Sequence, residues 1–217
     1  MSGIALLSRA EALSPEAFWK DLRARVEPLS VAAPARLYLA DVDQSPLARA
    51  PENQTRRPQF EAAVLLEDDD ADLASALAGL GELRAYRARG RVIKRPDWQT
   101  PRGRLTPGFT MVSPVFRANG VSHEQFDRHW GERHAPLALR HHPGMGAYEQ
   151  LVIDRTLTPG AADFDGVALL GFASLEDYTE RMFDSDEGRA VILADIRRFL
   201  DLRRSEAVLM SELKLGS

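Results

Sequence analysis

No cysteine occurs among the 217 residues. That excludes disulfides, a thiolate nucleophile and zinc-finger-type sites, and it accords with a reducing cytoplasm. Long apolar runs are missing too. The opening MSGIALLSRA has four apolar residues in succession, Ile4 to Leu7, and no basic flank. It is too short for a signal peptide or a membrane span. Positive charge is not in excess, with 28 Lys and Arg against 32 Asp and Glu and a net charge of −4. The arginines are interleaved with acids as on a solvated face, so no nucleic-acid footprint is expected. These absences describe a cytoplasmic protein with neither nucleic-acid nor membrane partners. Its 44% hydrophobic content suffices for one good core or two small ones.

Histidine is scarce and confined. All five, at 123, 129, 134, 141 and 142, fall within SHEQFDRHWGERHAPLALRHHP, Ser122 to Pro143. The one side chain that titrates near neutrality is therefore concentrated in a single stretch. Phe126, Trp130, His134 and Leu137 recur at helical spacing, on one stripe of a helix that Ser122 caps. Asp127, Arg128, Glu132 and Arg133 fall largely on the wet side. Pro136 does not continue a helix easily, which places His134 at its last turn or just past it.

The chain also repeats itself. A shift of 108 superposes Arg9-Ala10 on Arg117-Ala118, Ser14 on Ser122, Glu16 on Glu124, Phe18 on Phe126, Arg25 on Arg133, and Pro28-Leu29 on Pro136-Leu137. These are eight identities in 21 ungapped positions, where roughly one or two are expected by chance. Tandem duplication is the reading.

Each copy reads strand, helix, two strands, helix, strand. In copy one the elements are Gly3–Arg9, a helix from Pro15 to about Pro28, Ala35–Val42, Gln59–Leu66, a helix from Ala71 to about Arg87 stopped by Gly90, and Arg91–Lys94. The turn-rich 44–58 is a surface loop between strands, and the acidic run 67–70 leads into the second helix. RPDWQTPRGRLTPG, from 95, holds three prolines and two glycines, so 96–108 is a linker between repeats 1–95 and 109–217. Copy two has strand Phe109–Arg117, the His-rich helix, strands Ala147–Asp154 and Asp165–Phe172, a helix from Ser174 to about Asp201 broken near Asp184, Asp186 and Gly188, and strand Glu206–Lys214. Pro114 predicts a bulge or local break in its strand.

A βαββαβ order gives the ferredoxin-like plan, an antiparallel sheet with its helices on one face. One unit leaves the other sheet face bare, and two copies cover it mutually. The predicted class is α+β: two tandem ferredoxin-like repeats closed into an intramolecular dimeric α/β barrel. A homodimer of such pseudo-dimers is compatible with this plan.

Copy two resembles the EthD-like proteins of the dimeric α/β-barrel superfamily. The resemblance rests on FDRHWGERHAPL (126–137), PGMGAYEQ (143–150), FDGVALLGFASLEDY (164–178), MFDSDEGRA (182–190) and RFLD (198–201). Copy one matches only in its element order and through the repeat. The resemblance implies a small, largely apolar or aromatic substrate; the superfamily includes decarboxylase-like enzymes, cyclases, isomerases and cofactor-free monooxygenases. Where relatives often carry an acid in the third strand, this chain has Leu169. Val26 and Leu22 stand opposite His134 and Trp130, so copy one has lost the hallmark and is read as the structural half.

His134 is the candidate catalytic residue, a general acid or base poised near neutral pH. Trp130 and Phe126 would pack a substrate ring, Tyr148 and Gln150 share a strand face from which to orient a polar group, and His123 would reach the pocket mouth. His129, His141 and His142 are read as surface or loop residues, and Asp165 either as the family's Asp before Gly or as a turn device. No metal is expected, since His129 and His134 point to different faces and His123 with Asp127 supplies two ligands at most. Nor is any cofactor. The expected function is a cofactor-independent lyase (decarboxylase, dehydratase or cyclase) acting on a small aromatic or polyketide-like molecule; the alternatives are a cofactor-free monooxygenase and a non-catalytic binder of an apolar metabolite.

Overall fold

Five successive buried residues in Gly3–Leu7 set the architecture, because a strand buried on both faces must lie between two apolar layers. In the computed structural model, which describes residues 1–40, 59–68, 72–96, 98–205 and 207–216, Ile4 and Leu6 point into a barrel, while Ala5 and Leu7 point outward beneath a helix. Strands β1 (Ser2–Arg9), β2 (Ala35–Leu39), β3 (Ala62–Leu66), β4 (Gly81–Lys94), β5 (Phe109–Val115), β6 (Met145–Thr156), β7 (Gly166–Phe172) and β8 (Val208–Leu215) close in the order β1-β3-β2-β8-β5-β7-β6-β4. Every pairing is antiparallel, and the two halves of the chain are joined at β2–β8 and β4–β6. Among the described residues no helix is long and apolar enough to cross a membrane.

Helix α1 (Pro15–Leu29) begins where Ser14 accepts from the Ala17 N–H, and it buries Phe18, Leu22 and Val26 completely against the outside of the first sheet. Each such side chain contributes about 1.5–3 kcal/mol of burial. In the second half α3 (His123–His129), a π-helical turn (Trp130–His134) and α4 (Ala135–His141) cover the other sheet, together with α5 (Leu175–Thr179) and α6 (Asp186–Ile196).

Four expectations are corrected. The helix predicted over 71–87 is only α2 (Leu73–Ala76), followed by the 14-residue β4. Gly90 lies inside that strand rather than ending a helix. Acids before arginines imitate a helix dipole pattern, but Ala85 is buried outside the barrel and Tyr86 and Ala88 inside it. Pairing with both β1 and β6 outweighs helix propensity. Gly81, at φ +146, makes the turn into β4, where a Cβ would collide with the Ser8 carbonyl.

Pro114 causes no bulge: it pairs in register with Val167, and the β8 ladder ends earlier, at Val112. The helix from Ser174 is broken into two near Asp184 as expected, each piece capped by a serine, Ser174 and Ser185; what differs is that Gly188 lies inside the second piece and that this piece ends at Ile196. Finally, the His134 helix does not end at Pro136; it widens into the π turn and continues as α4. The loop expected at 44–58, like Asp69, Asp70 and Glu206, lies outside the described residues.

Candidate functional site

The stretch from Ser122 opens with a reciprocal cap. Ser122 Oγ accepts from the Gln125 N–H (3.1 Å), and Gln125 Oε1 accepts from the Ser122 N–H (2.8 Å). Phe126, Trp130 and His134 then face inward as their spacing predicts, at 0, 2 and 7% exposure. Pro136 has no N–H to give, and the helix passes this defect by having the Ala135 N–H reach back five residues to the Trp130 carbonyl.

Strand alternation sends Tyr148 and Gln150 outward from β6 to meet this turn. Trp130 Nε1 donates to Tyr148 Oη (3.0 Å), and Gln150 Nε2 donates both to Tyr148 Oη (2.8 Å) and to the Trp130 carbonyl (3.1 Å). Arg91, from β4, donates to Gln150 Oε1 (3.0 Å) and pairs with Asp127. It lies against Gly131, where a Cβ would overlap its guanidinium. Burial pushes the Tyr148 phenol up to about 12, against the bonds from Gln150 and Trp130 that would lower it. It is therefore a neutral hydroxyl at physiological pH.

His134 is held from α6. Its Nδ1 is 3.0 Å from Asp195 Oδ2, while His129 Nε2 is 2.8 Å from Asp195 Oδ1. Phe199 packs on both rings, with centroids 4.6 Å from His129 and 5.3 Å from His134. Burial alone would raise the Asp195 carboxyl, but the bonds from His134 and His129 outweigh it and hold the group below its usual 3.8. Asp195 is therefore ionised throughout the neutral range. A carboxylate on Nδ1 favours the tautomer that leaves Nε2 of His134 with a lone pair, the arrangement of a general base.

The structure thus brings Phe126, Trp130, Tyr148 and Gln150 into one buried cluster and places His134 beside it, with Phe199 touching both Phe126 and His134. His123 stands apart. Its Nδ1 lies 3.2 Å from Asp165 Oδ1, and Asp165 also accepts from the Arg117 N–H (2.8 Å) and pairs with the Arg117 guanidinium. Asp165 is thereby a buried anchor between β5 and β7. Among the described residues no three His, Asp or Glu converge on one point as ligands would.

Expected surface residues are partly interior. His129 bonds Asp195, His141 bonds Asp184, and His142 is 7% exposed with Nδ1 against the Met182 carbonyl. Asp195, Phe199 and Arg91 were missed, because each meets the cluster from a distant segment and no local spacing announces it.

Burial depresses the His142 pKa below 6.5, against the Met182 bond that raises it. The unfolded chain then binds the extra proton more readily, so this histidine stabilises the fold above about 6.5 and loses that contribution as pH falls through 6.5 towards its folded value. His142→Asn, which keeps a donor near the Nδ1 position without the titration, is expected to flatten the melting temperature between pH 7 and 5. Unchanged acid sensitivity in thermal melts of the variant would refute this.

Residues 118–203 match the family model described as EthD domain. No curated protein matches the chain. Among solved structures, an anthrone oxidase-like protein superposes with TM-score 0.60 at 13% identity, covering 100% of this chain and 93% of its own. A protein named "putative monooxygenase" from Lactobacillus acidophilus NCFM gives TM-score 0.53 at 10% identity, with coverage of 99% and 95%. One of the same name from Fusobacterium nucleatum gives 0.55 at 7%, with coverage of 100% and 93%. At these identities the likeness concerns the fold, an eight-stranded antiparallel barrel with helices outside.

Proposed function

We propose, from the match of residues 118–203 to the EthD domain model and the barrel fold shared with the superposed structures, a cofactor-independent enzyme that oxygenates a small, enolisable aromatic molecule. The observation that carries this reading is the Asp195 carboxylate fixed on Nδ1 of His134 at 3.0 Å. The names of the superposed structures favour oxygenation over lyase chemistry.

Nε2 of His134 takes a proton from a methylene activated by an aromatic ketone or phenol. The carbanion passes one electron to dioxygen, and the radical pair combines to a C–O bond. The resulting peroxide anion takes the proton back. Loss of the second C–H proton with O–O cleavage leaves a ketone and one water, so CH2 plus O2 becomes C=O plus H2O. Trp130 and Phe126 pack the ring and Tyr148 and Gln150 orient its oxygen, while His123, held on Asp165, lies to one side. Because Trp130 is 2% exposed, substrate must part the α3–α4 segment from β6. The π turn is the weak point where opening is expected.

The chain is further inferred to be a fusion of two ferredoxin-like copies, 1–95 and 109–217, joined by 96–108. Support comes from the eight identities and from Leu22 and Val26, both 0% exposed where copy two has Trp130 and His134. One catalytic site per chain follows.

The test is dioxygen uptake with anthrone as the probe. One O2 consumed per ketone formed is expected. Product formed without uptake would transfer the assignment to the decarboxylase, dehydratase or cyclase reading, and saturable binding with no turnover to the binder reading.

A further inference from the structure

We propose that one open end of the barrel is a second binding site, for a small aromatic carboxylate, roofed by Trp98 of the connecting segment. It does not rest on the His134 reading: alternation on β6 turns the Tyr148 and Gln150 side chains outside the barrel and Glu149 inside, although Tyr148 also borders the cavity.

A cavity of about 290 Å³ lies at this end, bounded by Arg36, Leu169, Glu212, Leu215 and Trp98 among others. Deeper, the barrel is filled by Leu65, Val112, Leu151 and Met210, a dry apolar core. Its floor is different. Arg36 on β2 donates to Glu149 Oε2 (2.6 Å) and stands 4.0 Å from Glu212 Oε1, with side-chain exposures of 21, 15 and 10%. A partly buried triad of this kind is weak evidence for stability, since aliphatic side chains could pack in its place. Arg36 turns its terminal nitrogens to the glutamates, and its Nε is buried without a hydrogen-bond partner. Arg36 thus borders the cavity with the hydrogen bonding of its guanidinium incomplete, a state that a further acceptor beside it would relieve.

The sign of that ligand follows from the lining, which carries five cations against three carboxylates in a chain of net charge −4. Lys94 and Lys214 stand at the mouth, and Lys94 Nζ is tethered to the Met145 carbonyl (2.6 Å). Its shape follows from Trp98. The indole sits over Gly146 and Gly171, and a Cβ at Gly146 would overlap it. An aromatic ring is thereby seated by two glycines over a cavity with apolar walls, ready to stack on a planar guest. At 290 Å³ the volume is at the lower end of ligand sites, about 300–1,000 Å³, which limits the guest to one or two rings.

Calorimetric titration of the whole chain with 1-naphthoate tests this, with uncharged 1-naphthamide as control. Saturable one-to-one binding is expected, weakened about tenfold or more by Lys214→Gln, by Trp98→Leu and by the amide, and unchanged in His134→Ala. Should Trp98→Leu fail to fold, Lys214→Gln at the rim decides alone. Absent saturation, equal affinity for the amide, or indifference to Lys214→Gln overturns the proposal. So does loss of binding in His134→Ala, which would put the probe in the other site.

Discussion

His134→Ala is expected to lower kcat by about 10²- to 10⁴-fold, the range that general acid–base catalysis contributes, with the fold intact. The fold should survive because the partner is not orphaned: Asp195 retains His129 at 2.8 Å when His134 is removed. Loss of the imidazole leaves a gap against Phe199, a modest cost rather than a buried unpaired charge. Free imidazole should restore part of the rate, and this readout would not move if His134 were merely structural. Asp195→Asn should act in the same direction through the tautomer of His134, and its effect should be confined to kcat. Steady-state turnover of anthrone by the purified variants, beside their thermal melts, decides the matter. A His134→Ala protein with wild-type kcat would sink the assignment.

Trp130→Ala is expected to cost about 3–5 kcal/mol, the range for deleting a large aromatic from a packed core. For a chain of this length that is a fall in Tm of ~10 °C. The indole is 2% exposed and its ring lies over Gly166, where a Cβ would overlap it. Its N–H is one of two donors to Tyr148 Oη, the other being Gln150. Trp130→Phe keeps most of the packing and loses that bond, so about 1–2 kcal/mol is expected. Urea or thermal unfolding of the pair measures both. A Tm within 2 °C of wild type for Trp130→Ala, roughly a 1 kcal/mol effect, would mean that the indole is not a core element.

Much was legible in the chain itself, because some signals are local. The spacing of Phe126, Trp130 and His134 put them on one buried stripe, Ser14 and Ser122 cap the helices they precede, and the repeated element order implied two sheets able to cover each other. Helix periodicity and capping depend on residues within a few positions, so sequence determines them. The choice between helix and strand over 71–94 was not local. Propensity and charge order favoured a helix, and the backbone donors of β1 and β6, supplied from both halves of the chain, decided for a strand.

The site divides in the same way. His134 was nominated by the sequence, but its carboxylate partner lies 61 residues away, and the arginine holding Gln150 comes from the opposite half, 59 residues before it. The floor of the barrel cavity likewise joins Arg36 to Glu149 across 113 residues. Sequence determined which side chains could do chemistry. Only closure of the barrel, which sets distant strands side by side, decided which of them meet.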